Sequence, residues 1–214
     1  MKLLITSDIH GNKEALDAVL GIPCDEIICL GDLVDYGPSP HECIELVRQK
    51  NITTIKGNHD NAVASGIDCG CGYEYKHLSI ATREYTWSVL DEEDINFLKQ
   101  LPYEIVKDFD YLKLHFSHGS PRSMFEYIKP DTSDQNIREM IENVDADFIF
   151  IGHSHIPFIK NIDDVTLINP GSVGQPRDGD ISASCAIFDT NTQDVEFIRY
   201  EYDIKQTYEK IQDK

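Results

Sequence analysis

Seven side chains able to ligate a metal follow directly on short apolar runs. Asp8 and His10 come after residues 2–6 (KLLIT), Asp32 after 26–30 (EIICL) and Asn58 after 52–56 (ITTIK). His118 comes after 112–117 (LKLHFS), and His153 and His155 after 147–151 (DFIFI). These are carboxylates, an amide oxygen and imidazoles, with no thiolate among them. Mixed nitrogen and oxygen donors suit Mn²⁺ first, and Fe or Zn²⁺ next, rather than Ca²⁺ or Cu(I). Seven ligands exceed the needs of one tetrahedral ion and fit two divalent ions sharing a carboxylate, with Asp32 as the natural bridge. Asp8 and His10 alternate across one residue, so an extended chain would aim both to the same side, and His153 and His155 repeat the spacing. Glycines at 11, 31, 57, 119 and 152 are expected to give sharp turns through positive φ.

The elements needed to gather such a set are legible. Residues 2–6, 26–30 and 52–56 read as strands, separated by helices through Ala15–Leu20 and from the Ser39 cap to about Lys50. Alternating strands and helices indicate an α/β sheet, whose ligand crevice lies beyond the carboxyl ends of its strands. Residues 61–101 read as mostly helical, with 77–90 one helix and Asp91 capping another through Leu98. Strands are expected at about 103–107, 111–117 and 147–151, with a helix capped by Ser133 between the last two. Further strands are expected at 157–160, 165–168, 182–188 and 194–200, the last pair joined by a turn at Asn191-Thr192, then a polar helix at about 203–212. No composition shift marks a boundary, so residues 1–214 are expected to form one domain with a helical insertion at about 61–101.

Nineteen basic against 38 acidic residues give a net charge of −19. Such a surface repels phosphate backbones and anionic lipid, which excludes long nucleic acid and membrane as partners. A small phosphorylated substrate remains compatible if bound cations reverse the field in one cleft. The N-terminus turns polar at Thr6, too early for a signal peptide, and no apolar run approaches a membrane span. A cytoplasmic chain with reduced cysteines is expected. Cys69-Gly70-Cys71 is tight enough for metal or redox work but lacks a second pair at zinc-site spacing, which favours a structural role.

Together the strings Asp8-x-His10, Gly31-Asp32-x-x-Asp35, Gly57-Asn58-His59-Asp60, His118 and Gly152-His153-x-His155 resemble the calcineurin-like metallophosphoesterase superfamily. Asn169-Pro-Gly-Ser-Val-Gly-Gln-Pro-Arg177 is similar to its small bacterial and archaeal phosphodiesterase branch. The resemblance implies a four-layer αββα sandwich of two mixed sheets with a dinuclear centre at their edge. It implies that Asp8, His10, Asp32 and His155 hold one ion, and Asp32, Asn58, His118 and His153 the other. It also implies that His59 is the catalytic acid and that Asp35 fixes its tautomer. The implied activity is phosphodiester hydrolysis of small substrates, with metal-bound hydroxide attacking and His59 protonating the leaving group. Alternatives are a protein or dinucleoside-polyphosphate phosphatase, or a non-catalytic scaffold of the same fold, like the superfamily's retromer subunit.

One departure bears on specificity. Protein phosphatases of the superfamily carry arginine where this chain has Tyr36, and glutamate where it has Asp60; Arg177 is the candidate substitute for the missing phosphate clamp. His115 is expected in the core and His41 and His77 on the surface. Tyr73, Tyr85 and Trp87 are candidates for a lid, although helical packing explains Trp87 as well.

Overall fold

The computed structural model describes residues 1–109 and 111–213; of the side chains of residues 73–75, which include the lid candidate Tyr73, nothing is described. Among the described residues ten strands form two five-stranded mixed sheets. The first has the order β10(Val195–Tyr200), β9(Ala183–Asp189), β1(Lys2–Thr6), β2(Glu26–Cys29), β3(Thr53–Thr54). The second has the order β4(Glu104–Phe109), β5(Leu112–Ser117), β6(Phe148–Phe150), β8(Val165–Asn169), β7(Phe158–Ile162). In each sheet three neighbouring strands run parallel, and the segments after β1, β2, β3, β5 and β6 carry the ligand-type residues, while β9, β10, β4 and β7 pair antiparallel with their neighbours.

Strand alternation builds the layers. Leu3, Ile5, Ile28 and Phe188 from the first sheet meet Leu112, Leu114, Phe116, Phe148, Phe150 and Ile168 from the second, forming an apolar core between the sheets. Their neighbours in sequence point the other way. Leu4, Cys29, Cys185 and Ile187 pack with α1(Lys13–Val19), α2(Pro40–Gln49), α3(Asn58–Ser65) and α5(Glu92–Gln100). Ile149 and Leu167 pack with Ile137 and Ile141 of α6(Asp134–Ile141). Helix, sheet, sheet, helix is the four-layer αββα order, and it follows from a period of two in the strands. Full burial of a ring such as Phe150 is worth roughly 2–3 kcal/mol.

The elements depart from the sequence reading in a few places. β3 keeps only two residues of the expected five, because beyond it the Lys56 amide turns to the Pro102 carbonyl at 2.7 Å. α4(Tyr73–Val89) starts four residues earlier than expected. Ser39 stands at the N-cap of α2 but its hydroxyl does not cap; it accepts instead from Lys210 Nζ at 3.4 Å. The β9–β10 turn at Asn191-Thr192 forms, with the Asn191 amide on Asp189 Oδ1 at 2.9 Å. Among the described residues no helix is long and apolar enough to cross a bilayer.

Candidate metal centre

The loops leaving β1 and β2 run side by side beyond the sheet, continuing its ladder. The amides of Asp8, His10 and Gly11 donate to the carbonyls of Gly31, Asp32 and Leu33 at 3.0, 2.9 and 2.8 Å. On the other side the amides of Val173 and Gly174 donate to Ser7 and Asp8, and the Ser172 hydroxyl donates to the Asp8 carbonyl at 2.7 Å. The Asn169–Arg177 string is therefore the brace of the Asp8 loop. Gly174 has no room for a side chain: a Cβ there would lie 1.8 Å from the Ile9 carbonyl oxygen.

The expected extended geometry at the ligands is corrected. Asp8, His10, Asp32, Asp35, Tyr36, His153 and His155 all have φ between 46° and 64°, seven of the ten described non-glycine residues with positive φ. Left-handed backbone at consecutive strand exits turns the chain sharply enough to point alternate side chains inward, at a cost of order 1 kcal/mol each. The glycine expectation is corrected too. Gly11 and Gly31 have positive φ, but Gly57, Gly119 and Gly152 do not. At Gly57 the requirement is close approach, since a Cβ would sit 2.0 Å from Asp32 Oδ1.

All seven sequence-derived ligand residues come together, almost wholly buried. Asp8, His10 and His155 form one group and Asp32, His118 and His153 a second, with the ligand atoms of each within 4.8 Å of one another. Asp32 Oδ2 faces both groups, 3.7 Å from His10 Nε2 and 3.2 Å from His118 Nε2. Asn58 joins the second group, its Oδ1 2.8 Å from His118 Nε2 while its Nδ2 donates to the Cys69 carbonyl.

The donor set fits cations on the evidence of its own hydrogen bonds. Each carboxylate has one oxygen satisfied: Asp8 Oδ2 accepts from the His153 amide and Asp32 Oδ1 from the His59 amide. The other oxygens, Asp8 Oδ1 and Asp32 Oδ2, are buried without a hydrogen bond, as is His153 Nε2. The Nδ1 atoms of His10, His118 and His155 lie 2.9, 2.8 and 2.6 Å from the carbonyl oxygens of Val34, Leu30 and Gln175. A carbonyl only accepts, so Nδ1 carries the proton, and the neutral rings of His10 and His155 present a bare Nε2 to the centre. His10 Nε2 and His155 Nε2 face each other at 3.3 Å. Two lone pairs at that distance, beside two orphaned carboxylate oxygens, need positive charge between them.

Electrostatics agree with that demand. Burial pushes His10, His153 and His155 below the ordinary imidazole range, which keeps them in the neutral form that binds metal. Burial opposes charge on Asp8 and Asp32 as well, but the surrounding imidazoles hold both carboxylates below the usual range. His118 is the exception: burial opposes its charge, but Asp32 outweighs it and raises His118 to about 9. Its Nε2 therefore keeps a proton, directed at Asn58 Oδ1 and Asp32 Oδ2, that a cation would displace.

His59 stands beside this cluster as a non-ligand. Its Nδ1 lies 2.7 Å from Asp35 Oδ2, leaving Nε2 as the exchangeable nitrogen, with the Tyr36 hydroxyl 3.4 Å away. Burial disfavours its charged form, but Asp32 and Asp35 overcome this and raise its pKa. Tyr36, in the position of the phosphatases' arginine, sets its ring against both His10 and His59 at centroid distances of 4.7 and 4.9 Å. Arg177 lies at the rim, its guanidinium 5.9 Å over the Tyr36 ring and bonded to Gln175 Oε1.

Several residues at the centre carry no obvious sequence signal. Arg83 reaches from α4 to Asp35 Oδ2 through Nε at 3.0 Å and Nη2 at 2.6 Å, a contact 48 residues apart in sequence. Tyr127 stacks on His153 at 3.8 Å. Asp60 was readable: its place at the third position of α3 predicts a cap, and its carboxylate accepts the amides of Gly57, Asp32 and Leu33. Burial and the nearby Asp32 raise Asp60 to about 6. Of the other lid candidates, Trp87 Nε1 donates to the Val63 carbonyl and the Tyr85 hydroxyl to the Pro38 carbonyl. His115 is buried on β5 and pairs with Glu104 at 3.0 Å. His77 is exposed, whereas His41 is half-buried and pairs with Asp94 at 2.6 Å.

With this geometry in view, likeness to known proteins settles the family. Residues 1–193 match the calcineurin-like phosphoesterase superfamily domain. The chain belongs to that superfamily. It is 40% identical to the uncharacterised protein MJ0912 of Methanocaldococcus jannaschii, covering 98% of this chain and 91% of that one. It is 26% identical to phosphodiesterase YfcE of Escherichia coli, over 91% of each. Among solved structures, a metallophosphoesterase from Sphaerobacter thermophilus superposes with a TM-score of 0.84 at 35% identity, covering all of this chain and 93% of that one. The protein is accordingly a hydrolase of phosphoric esters, of the metallophosphoesterase kind.

Proposed function

We propose that this protein is a dinuclear-metal-dependent phosphodiesterase of small phosphoesters, with His59 as general acid. The observation that carries the reading is the pair of buried, unbonded carboxylate oxygens on Asp8 and Asp32, aimed into a cluster of bare imidazole nitrogens. Asp8, His10, Asp32 and His155 would hold one ion and Asp32, Asn58, His118 and His153 the other, Mn²⁺ being the first candidate. When bound, such ions supply Lewis acidity to a phosphoryl group and to the attacking water.

The chain's own residues do the rest. His59 holds a proton on Nε2, favoured by the Asp35 hydrogen bond on its far nitrogen, and delivers it to the departing oxygen. Arg177 and the Tyr36 ring form one rim of the entrance, where a phosphate oxygen can be held against the guanidinium. Beside His10 a cleft of about 300 Å³ is walled by Tyr36, Tyr202, Ile204, Tyr208 and Ile211, room for a small organic group of a diester rather than a protein loop. Tyr36 in the arginine's place also weighs against phosphoprotein substrates. We read residues 1–214 as one domain, with residues 61–101 inserted to carry Arg83 to the acid. Six free thiols suit a reducing compartment, the cytoplasm.

The test is the leaving-group dependence of His59→Asn. Alkyl diesters, whose leaving oxygen needs a proton, are expected to lose roughly 10²–10⁴-fold in kcat, and p-nitrophenyl esters far less, at unchanged metal content. Equal losses on both would remove His59 from the acid role.

A further inference from the structure

Cys69 and Cys71 stand beside His59 and outside the set of seven ligand residues, with the Cys69 carbonyl accepting from Asn58 Nδ2 at 2.8 Å. A ligand nitrogen of His59 and the two sulfurs all lie within 4.8 Å of one another, a third group distinct from the two above. Gly70, at φ 64°, folds the Cys-Gly-Cys loop back so that both sulfurs face the same way, and the Cys71 amide points at Cys69 Sγ at 3.4 Å. Amide-to-sulfur contacts of this type support thiolates. Cys69 Sγ also meets the Ser79 hydroxyl at 3.1 Å. That hydroxyl already accepts from Arg83 Nη2 at 3.0 Å, so its own proton is available to sulfur. The Tyr36 hydroxyl approaches His59 Nε2 at 3.4 Å.

From this geometry we infer that His59, Cys69 and Cys71 form a third cation site, selective for a thiophilic divalent ion such as Zn²⁺ or Cd²⁺. Thiolate and imidazole ligands around a tetrahedral ion are separated by roughly 3.5–4 Å, given metal–ligand bonds of about 2.0–2.3 Å. The loop therefore needs to contract by roughly 1 Å. Charge balances as well: two thiolates and Asp35 against Arg83 leave two negative charges for a divalent ion to neutralise. Asp35 occupies Nδ1 of His59, so the ion takes Nε2, and binding releases the two thiol protons and the Nε2 proton to solvent. The hard donors of the main centre and the soft donors here separate Mn²⁺ from Zn²⁺ by chemistry rather than size. An ion on His59 also denies that ring its free nitrogen, so occupancy inhibits. This last step rests on the acid role of His59; the binding of the ion does not.

Cd²⁺ added to Mn²⁺-loaded protein reads the site directly, because thiolate-to-cadmium absorption in the ultraviolet does not arise from histidine or carboxylate ligands. The expected result is one further equivalent bound with that absorption, and a fall in alkyl-diester turnover on the order of 10²-fold over the same equivalent. Cys69→Ser/Cys71→Ser is expected to lose both the absorption and the inhibition. Cys71→Ser alone, which keeps the buried sulfur and its hydrogen bonds, is expected to weaken binding at least tenfold and covers the event that the double variant does not fold. His59→Asn is expected to weaken binding while keeping part of the absorption. Absence of the band, its persistence in the double variant, or unchanged affinity in His59→Asn would overturn the site. A clear band without inhibition would instead leave the site standing and count against His59 as the acid.

Discussion

Asp8 and Asp32 treat their two oxygens alike. One is bonded to a backbone amide of another loop, and the other is left bare toward the centre. The division locks the carboxylate plane while keeping a lone pair for a cation; the Nδ1–carbonyl pairs do the same for His10 and His155 and fix the ring of His118. The ligand identities were legible because polar residues of one chemical kind recur where apolar runs end. The backbone that aims them was not. Alternation suggested extended chain, and only the packed loops reveal the left-handed turns. Arg83 was illegible for another reason: nothing local marks a helical arginine as the partner of a carboxylate 48 residues away. Removing it strands Asp35 in a site with no access to solvent. Arg83→Gln is expected to cost about 3 kcal/mol, read as a lower urea midpoint at unchanged slope, and to reduce kcat more than it raises KM.

Helices of the first half serve the site by clamping loops rather than by donating ligands, Asn58 excepted. α2 and α5 are joined by His41 and Asp94, the latter also closing the cap of its own helix with Asp91. The Asp94 hydrogen bond raises the His41 pKa, so the pair contributes stability in full below about pH 6.5 and loses it as pH climbs through the elevated value. His41→Asn is expected to flatten this part of the stability–pH curve, which thermal melts between pH 5.5 and 9 would detect. The Asn169–Arg177 brace acts at the same level. Gly174→Ala drives a methyl into the Ile9 carbonyl and is expected to displace the Asp8 loop. Lower affinity for the ion held by Asp8, measured by metal titration, would accompany a loss of several degrees in melting temperature. Helix and strand order were readable from periodicity, whereas the truncation of β3 was not, because it depends on the capture of Lys56 by Pro102.

Across the whole molecule the net charge of −19 includes buried carboxylates at the centre. Buried carboxylates with bare oxygens are a burden on the metal-free fold, and ions that bind only the native state relieve it. At free metal of about 100 times Kd, linkage adds about 2.7 kcal/mol per site, or roughly 5–10 °C for a chain of this length. Chelation followed by Mn²⁺ titration is expected to trace that rise, and a melting temperature indifferent to both would argue that the residues gather for another purpose. The left-handed backbone at seven positions has a further consequence, for the fate of random change at this locus. Asparagine, aspartate, histidine and glycine are the residues that tolerate such dihedrals, whereas valine or isoleucine would be rejected by the chain itself before any chemistry was consulted. Drift at these sites is thereby channelled toward a handful of neighbours, several of which still bind metal, so the pocket forgets its trade more slowly than its surface does.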